Sequence, residues 1–600
     1  MAQAAHATSV LFALLLAVAT PVLADHTPGH DTPGEARLVT LPEPDIFAMA
    51  PMRDGIKLAT YVLLPEGDGP FPTVLVRSIY KDGVIPWGAY GHDKFLASGY
   101  AYVFQSTRGS GASEGVYRFI ADDRNDGFDT VEWVAEQPWS DGNIGMNNGS
   151  YLGMTQLAAA ATKPPNLKAI IPHVPSADYF RETPYSGGIF MRYHMLNWHK
   201  LISISSREEL GVGFMNPALV MQDEAMLERL MRRPLLDSAD GYLFGDRLDQ
   251  YKAFIRHSRF GSYWRDLQNM PEDYAKMDVP TLLIGGNFDL GIGVLAAWKG
   301  LDAHAPNRAQ RHLLIGPWTH GQSYHAGVTG NSLYEFGEQA LVDMDALRIA
   351  FLDRYLKGAA VDDTLPKRVK LFVTGSNLWR EFDAFPVPEA NEVKMFLASD
   401  GQANSVQGEG VLDFSASSGA PDTMTNDPRE PIVVQTELAT GISFYHETER
   451  RPNVLVYTSE ALAAPLTIIG EPSIHLHVSA DAPDADVMVR LTEVYPDGRS
   501  VALGFGANLR LRYREGFDKE VLLEPGEIYA LDMPLTYIGH TIPAGHRLRI
   551  NILGTEFPLY DPNPNTGEPI ATATRVQKAR VTAHHDEVMP SYLTLPVVDL

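Results

Sequence analysis

Residues 145–153 read GMNNGSYLG, and this stretch decides how the first half of the chain folds. It lies between an apolar segment and an alanine-rich segment that predicts a helix over residues 151–162. A serine at such a junction stands on a sharp, strained turn, with its hydroxyl exposed and the helix amino terminus behind it. Because the turn is crowded, its neighbours must be small, and Gly149 and Gly153 meet that requirement. The stretch therefore indicates Ser150 as a candidate nucleophile.

Short apolar segments alternate with helical patterns on both sides of this turn. We predict helices over residues 126–136 and 344–356, and strands over residues 56–64, 73–76, 100–104, 168–172, 280–285 and 312–315. Strands that alternate with helices form a mostly parallel sheet with helices on both faces. Residues 40–177 and 276–360 therefore predict one α/β domain.

This alternation is interrupted once and later ends. Residues 178–275 contain no strand-like runs and carry apolar residues at helical spacing, which predicts a helical insertion. After Pro366, short alternating segments such as residues 369–373 and 473–478 recur between turns rich in Gly, Pro and Asp. Residues 366–600 therefore predict an all-β sandwich.

Ser150 requires partners, since a serine hydroxyl is a weak nucleophile without a base that a carboxylate orients. In an α/β domain of this kind the partners follow in the order Asp, then His, each at the carboxyl end of a later strand. Asp289 and His320 occupy those positions. Alone, Asp289 suits a helix cap and His320 a loop, but their joint order favours a Ser–Asp–His triad. The competing histidines are His304, His312 and His325.

Composition excludes several other classes of function. The 49 lysine and arginine residues against 74 acidic ones give a net charge of −25, which argues against nucleic acid or an anionic membrane as partner. The absence of cysteine excludes disulfides, iron–sulfur ligation and a thiol nucleophile. His194 and His199, five apart on a predicted helix, do not share a face, so a metal site there is disfavoured. Asp481, Asp484 and Asp486 favour a solvated turn over a calcium site. No cofactor and no metal are therefore expected.

The amino terminus has the pattern of an export signal. Residues 10–19 (VLFALLLAVA) are apolar and precede the small-residue motif that ends at Ala24. The apolar stretch is shorter than the roughly 20 residues that a transmembrane helix needs. We therefore predict a signal peptide over residues 1–24, cleaved after Ala24, and a periplasmic or secreted protein. No membrane-spanning segment is expected elsewhere in the chain.

Motifs spread along the chain carry a family resemblance. They are Arg53-Asp54-Gly55, Arg108-Gly109, Ser113-Glu114-Gly115, QPWSDG at 137–142, SYLG at 150–153, Phe288-Asp289, GPWTH at 316–320, GHRLR at 545–549 and NTGE at 565–568. In this order they resemble the cocaine-esterase-type hydrolases, over about residues 51–595. That group is related to the α-amino-acid ester hydrolases, the glutaryl-cephalosporin acylases and the X-prolyl dipeptidyl peptidases.

The resemblance implies an architecture and an oxyanion hole. It implies an α/β-hydrolase domain, a helical cap inserted into it and a C-terminal jelly-roll β-sandwich. It also implies that the backbone N–H of Tyr151 and the hydroxyl of Tyr80 form the oxyanion hole. Relatives are often dimers or larger, so a homo-oligomer is consistent with the resemblance.

Three departures from the family pattern bear on activity. Asn148 stands where relatives have Gly, two residues before the nucleophile, and Asn tolerates unusual backbone angles better than most residues. Ser106 stands where relatives have Asp, which we interpret as a lost structural contact. Residues 290–292 (LGI) replace acidic residues that hold a substrate ammonium group in α-amino-acid ester hydrolases. A neutral or hydrophobic acyl group is therefore expected.

The sequence thus predicts an exported serine hydrolase that cleaves small-molecule carboxylic esters through an acyl-enzyme on Ser150. The alternative is an acylase or X-prolyl dipeptidyl peptidase that uses the same triad on amide bonds. A peptidase would need an anionic pocket for the substrate amino terminus, for which Asp178 and Glu182 are candidates. A third interpretation is a binding protein whose hydrolase domain is inactivated by Asn148.

Overall fold

Two large β-sheets organise the part of the chain that the structure, a computed structural model, describes. The described residues are 42–80, 91–204, 223–289, 293–331, 334–360, 364–416, 419–437 and 442–599. The predicted signal peptide and residues 290–292 lie outside them.

The first sheet has ten strands, and a separate two-stranded hairpin lies within the helical segment. In chain order the strands of this part are β1 (Ile46–Pro51), β2 (Lys57–Leu63), β3 (Phe71–Ser78), β4 (Ala101–Ser106), β5 (Ser140–Gly149), β6 (Leu167–His173), β7 (Tyr185–Ser186), β8 (Ile189–Phe190), β9 (Thr281–Gly286), β10 (Arg311–Gly316), β11 (Val369–Val373) and β12 (Leu378–Phe382). The sheet order is β1-β2-β4-β3-β5-β6-β9-β10-β11-β12. The strands from β4 to β11 in that order are parallel, and the edges are antiparallel. The predicted α/β sheet is confirmed.

Helices connect the parallel strands and fill the interval between β6 and β9. They are α1 (His92–Ala97), α2 (Asp123–Ala135), α3 (Tyr151–Ala160), α4 (Tyr179–Glu182), α5 (Arg192–Leu201), α6 (Glu224–Met231), α7 (Gly245–Arg256), α8 (Ser262–Leu267), α9 (Pro271–Tyr274), α10 (Gly293–His304) and α11 (Met344–Leu356). Helices α4–α9 lie in the segment predicted to be a helical insertion. The expectation that this segment lacks strands is wrong in one detail, because β7 and β8 pair there.

The order of the strands creates a place for a site. From β3 the chain moves first to β4 on one side and then to β5 on the other. In open parallel sheets such a reversal leaves a crevice at the carboxyl ends of the two strands. Tyr80 follows β3 and Ser150 follows β5, so both residues lie at this reversal.

The second sheet assembly has sixteen strands and is mostly antiparallel. Its strands are β13 (Asn391–Ala398), β14 (Val411–Asp413), β15 (Asp422–Asn426), β16 (Gln435–Glu437), β17 (Ile442–Phe444), β18 (Leu455–Thr458), β19 (Leu466–Gly470), β20 (Ser473–Ala480), β21 (Asp486–Val494), β22 (Ser500–Ala502), β23 (Ala507–Arg510), β24 (Ile528–Pro534), β25 (Ile538–Ile542), β26 (Arg547–Leu553), β27 (Ala579–His584) and β28 (Tyr592–Val597). Strand β20 alternates buried and half-buried residues, as a strand with one covered face does. A β-rich C-terminal region is confirmed.

Two sequence-based assignments in this region are wrong. The strand at residues 369–373, placed in the sandwich, is β11 and pairs in parallel with β10, so it extends the first sheet. A short apolar strand has the same local pattern in either sheet, so the local sequence does not distinguish the two placements.

Asp484 and Asp486, expected in a solvated turn, are fully buried. Asp486 accepts from Arg510 at 2.8 Å and Asp484 from Arg512 at 2.8 Å. Buried charges need such partners, and the arginines lie more than twenty residues away in sequence, where local composition gives no sign of them.

Candidate active site

Ser150 occupies a strained turn between β5 and α3. Its φ of 59° and ψ of −130° lie outside the regions that residues with side chains prefer. The glycines beside it are required by space: a Cβ on Gly149 would lie 2.7 Å from the Tyr324 hydroxyl, and one on Gly153 would lie 2.9 Å from the His173 carbonyl oxygen. The expected crowding at this turn is therefore present.

Asn148 takes the backbone conformation that favours glycine. Its φ is 104°, and the residue is buried. The side chain folds onto its own backbone, since Oδ1 accepts a hydrogen bond from the Gly149 N–H at 2.8 Å. The Asn148 carbonyl accepts from Gln156 Nε2, also at 2.8 Å. The turn thus forms with Asn in place of Gly, at a cost in backbone strain.

The structure brings Asp289 and His320 together at the carboxyl edge of the first sheet. Asp289 follows β9, His320 follows β10, and His320 Nδ1 lies 2.8 Å from Asp289 Oδ1. Burial lowers the pKa of His320, but the charge of Asp289 and the hydrogen bond to it outweigh that effect, so the pKa is raised above its usual value. Asp289 is buried and His320 is half-buried. This arrangement favours the imidazole tautomer with its proton on Nδ1 and its lone pair on Nε2.

Tyr80 reaches the nucleophile from the neighbouring strand. Its hydroxyl is hydrogen-bonded to the Ser150 side chain and accepts from Trp198 Nε1 at 3.4 Å. Burial raises the pKa of Tyr80, and these hydrogen bonds only oppose that rise. The phenol therefore remains an O–H donor at neutral pH.

Tyr151 supplies a second donor and a buried anchor. It is the first residue of α3, and the first N–H groups of a helix have no acceptor within the helix. Its hydroxyl donates to Asp123 at 2.8 Å, and Asp123 pairs with Arg77 at 2.9 Å. All three side chains are buried. Sequence reasoning missed Arg77 and Asp123, whose only signal was their charge beside apolar elements.

Helix α5 lies over these residues. The Trp198 ring stacks on Tyr151 with centroids 6.2 Å apart and meets Phe119 edge-on at 5.9 Å. Other aromatic residues of the helical segment pack away from this point, such as Phe180 against Tyr185 at 5.0 Å. The aromatic set therefore divides between the candidate site and the interior of the helical segment.

His194 is a residue of this region that sequence reasoning weighed only as a metal ligand. It precedes Trp198 by four positions and therefore lies on the same face of α5. Burial, and then the nearby charge of His320, lowers its pKa to about 4. His199 instead donates from Nδ1 to the Met195 carbonyl at 2.8 Å. Within the described ranges, no group of three or more His, Cys, Asp or Glu residues is arranged to hold a metal ion.

Of the two carboxylates considered for amine binding, Glu182 lies beside Gly293, the first residue of α10. Glu182 Oε2 would be 2.8 Å from a Cβ on Gly293. It accepts from the N–H groups of Ala177 and Asp178 at 2.9 and 3.0 Å. Burial, then the charge of Asp178, raises the pKa of Glu182 to about 8. This carboxyl is therefore mostly uncharged at neutral pH.

A serine at a strand-to-helix turn, with an Asp–His pair at the same edge of a mixed α/β sheet, defines the protein as a serine hydrolase. Among the described residues, no helix has the length and apolarity needed to cross a bilayer.

Comparisons with known proteins identify the family. A model described as X-Pro dipeptidyl-peptidase (S15 family) matches residues 54–322, and one for the C-terminal non-catalytic domain of that family matches residues 359–594. The cocaine esterase of Rhodococcus sp. is 33% identical, over 92% of this chain and 98% of its own. The chain belongs to the cocaine-esterase-type (CocE/NonD) hydrolases of the S15 family.

Two solved structures share the architecture over their whole length. An aminopeptidase from a marine sediment Thaumarchaeota archaeon is 25% identical with a TM-score of 0.79, and the match covers 96% of this chain and 100% of that one. An α-amino acid ester hydrolase is 26% identical with a TM-score of 0.77, at the same coverage. Relatives thus include enzymes named for esters and for peptides.

Proposed function

We propose that this chain is an exported hydrolase of carboxylic esters with a neutral or hydrophobic acyl group, acting through an acyl-enzyme on Ser150. The observation that carries the proposal is the 2.8 Å contact of Asp289 with His320 at the edge where Ser150 stands on its turn. The 33% identity to a protein named cocaine esterase supports an ester substrate.

The proposed reaction has two steps. His320 Nε2 accepts the Ser150 proton as the serine oxygen attacks the ester carbonyl, and Asp289 stabilises the imidazolium that forms. The imidazolium then protonates the leaving alcohol, and an acyl-enzyme remains. In the second step neutral His320 takes a proton from water, which attacks the acyl carbonyl; the imidazolium then returns that proton to Ser150 Oγ as the bond to the acyl carbon breaks and the acid is released.

The oxyanion of each tetrahedral intermediate would be held by the Tyr80 hydroxyl and the Tyr151 N–H. Tyr80 already contacts Ser150, and the Tyr151 N–H lies at the positive end of α3. Donors of this kind stabilise the transition state more than the ground state, because charge appears on the oxygen only there.

The finer architecture belongs to the same proposal. Residues 178–275 would act as a helical cap over the site, a role consistent with the contacts of Trp198 in α5. The β-rich C-terminal region would be a jelly-roll sandwich. Residues 1–24 would be the signal peptide of a periplasmic or secreted enzyme.

Cleavage of amide bonds is the second candidate, because the family models and one structural relative are named for peptidases. A peptidase of this type needs an anion for the substrate ammonium group. Glu182 lies beside Gly293, four residues after Asp289, but a carboxyl with a pKa of about 8 carries little charge at pH 7. Esters also have the better leaving group. Both points favour the ester.

The test uses the chain from Asp25 with p-nitrophenyl esters of graded acyl length, a glycyl-proline p-nitroanilide, and Ser150→Ala as control. We expect turnover of the esters that disappears in Ser150→Ala and exceeds turnover of the anilide. Faster cleavage of the anilide would show that the proposed ester substrate is wrong and would favour a peptide substrate. No turnover of any substrate, together with no labelling of Ser150 by a fluorophosphonate, would favour the interpretation that the chain is a binding protein with an inactive hydrolase domain.

A further inference from the structure

A crevice with excess positive charge lies between the helical segment and the C-terminal region. Its volume is about 160 Å³, and it is lined by residues of α5, α6 and the loops around Pro428, Pro562 and Val576. Arg192, the first residue of α5, lines the crevice together with Arg233 and Arg429. None of these residues belongs to the candidate active site described above.

The charges around the crevice do not cancel. Asp561 is shared by Arg192 at 3.0 Å and Arg233 at 3.1 Å. Asp427 is likewise shared by Arg429 at 2.8 Å and Lys578 at 3.2 Å. Four cations therefore share two carboxylates in direct contact, and Glu430 is a third acidic group near Arg429, so one positive charge remains in excess within a chain whose net charge is −25. An anion in the crevice would be attracted by this local excess.

Arg192 keeps one donor without a partner. Its side chain is 1% exposed, and Nη2 donates to the carbonyls of Arg229 and Arg232 at 2.7 and 2.8 Å, but Nε is buried without a hydrogen-bond partner. Burial lowers its pKa, Asp561 opposes that effect, and the like charge of Arg233 adds to the lowering. A second anion near Arg192 and Arg233 would relieve this repulsion.

Apart from Thr574, the rest of the lining is apolar. Leu230, Met231 and Val576 face the same space as the three arginines. The volume of about 160 Å³ is close to that of an engineered cavity of about 150 Å³ that accommodates benzene. Arginine recognises carboxylates through paired N–H donors. The crevice thus offers arginine side chains for a carboxylate and apolar side chains for a ring or a short chain.

We propose that this crevice binds a small monocarboxylate that carries an apolar body, of which benzoate is the simplest probe. The ligand would join α5 to the C-terminal region, because Arg192 and Met231 lie on one side and Arg429 and Val576 on the other. Acids of this class are also products of ester hydrolysis, a link that rests on the proposed function. Binding itself does not depend on that link.

The experiment is calorimetric titration of benzoate into the folded chain and two variants. Arg429→Met removes one half-exposed cation, and Val576→Trp fills the space without changing charge. Arg499→Met is the matched control, because Arg499 also pairs with the aspartate two residues before it, at 2.8 Å, and has a similarly exposed side chain. Hydrogen bonds to charged groups contribute enough that Arg429→Met should weaken binding by about tenfold or more.

We expect benzoate to bind the wild type and Arg499→Met equally, and Val576→Trp not at all. Neutral benzamide should bind the wild type at least about tenfold more weakly than benzoate. Benzoate affinity that is absent from the wild type, or equal in both crevice variants and the control, would overturn the proposal. So would phosphate binding as tightly as benzoate, because the apolar side chains would then contribute nothing. Turnover of p-nitrophenyl esters should be unchanged in both variants, so a failure here is distinct from failure of the proposed catalysis.

Discussion

Replacement of Tyr80 by Phe tests the oxyanion hole with the smallest change available. The phenol is 3% exposed, its ring packs in the core, and its hydroxyl contacts Ser150 and Trp198. Phe keeps the ring and removes only the donor. In a preorganised site, loss of one such donor costs about 2.7–4 kcal/mol of transition-state stabilisation, which corresponds to roughly 10² to 10³ in kcat. The Tyr151 N–H would supply the remaining stabilisation.

The assay is the steady-state hydrolysis of a p-nitrophenyl ester, with kcat and KM measured separately. We expect kcat to fall and KM to change little, because the charge on the oxygen develops only during attack on the carbonyl and is absent from the bound ester. Tyr537→Phe is the matched control. Tyr537 directly precedes β25 and is also buried, but its hydroxyl has no hydrogen-bond partner.

A loss below about threefold in Tyr80→Phe, with Tyr537→Phe unchanged, would refute the role of Tyr80 as an oxyanion donor. An equal loss in both variants would point instead to a general effect on stability. Thermal unfolding of the two variants separates these outcomes, because only a fold defect lowers the melting temperature.

Three further predictions concern the groups around the nucleophile. Because Asp289 raises the pKa of His320, activity should fall as the pH decreases through that raised pKa. In a pH–rate profile, Asp289→Asn should move this decline in activity to lower pH and reduce kcat by about 10⁴. Asn148→Ala should lower the free energy of unfolding by about 1–3 kcal/mol in denaturant titrations, because it retains the positive φ and loses the hydrogen bond to Gly149. Asn148→Gly should leave the activity within about threefold of the wild type. Since the pKa of Glu182 is raised from 4.5 to about 8, the folded state binds more protons at this carboxyl than the unfolded state does, and the free energy of unfolding should decrease as pH rises between those values. Glu182→Gln should flatten that decrease. An unchanged slope would contradict the raised pKa of Glu182.

Residue order was enough to predict the contact between Asp289 and His320. In a parallel sheet every strand ends at the same edge, so polar residues that follow β9 and β10 must meet there. The strained turn at Ser150 was equally predictable, because a strand-to-helix junction leaves little space and the glycines around Ser150 indicate such a crowded position. Both inferences use local pattern together with a rule of topology.

Contacts that cross between distant segments were not predictable in this way. Trp198 reaches Tyr80 from a helix whose position relative to the sheet no periodicity encodes. Asp486 pairs with Arg510 across two strands of the second sheet assembly, and composition alone made it a surface residue. In each case the sequence shows the chemistry of the side chain but not the partner that burial requires it to have.

The Arg77–Asp123–Tyr151 network explains why an ionic group is buried beneath the proposed oxyanion hole. Arg77 lies in β3, Asp123 begins α2 and Tyr151 begins α3, so one chain of hydrogen bonds joins the strand before Tyr80 to the helix after Ser150. Burial raises the pKa of Asp123, and Arg77 and the Tyr151 hydroxyl oppose that rise. Such a pair contributes little net stability, yet its geometry is fixed because neither charge can be left unpaired. The two donors proposed for the oxyanion are therefore held relative to each other by a contact that lies outside the site and touches no substrate.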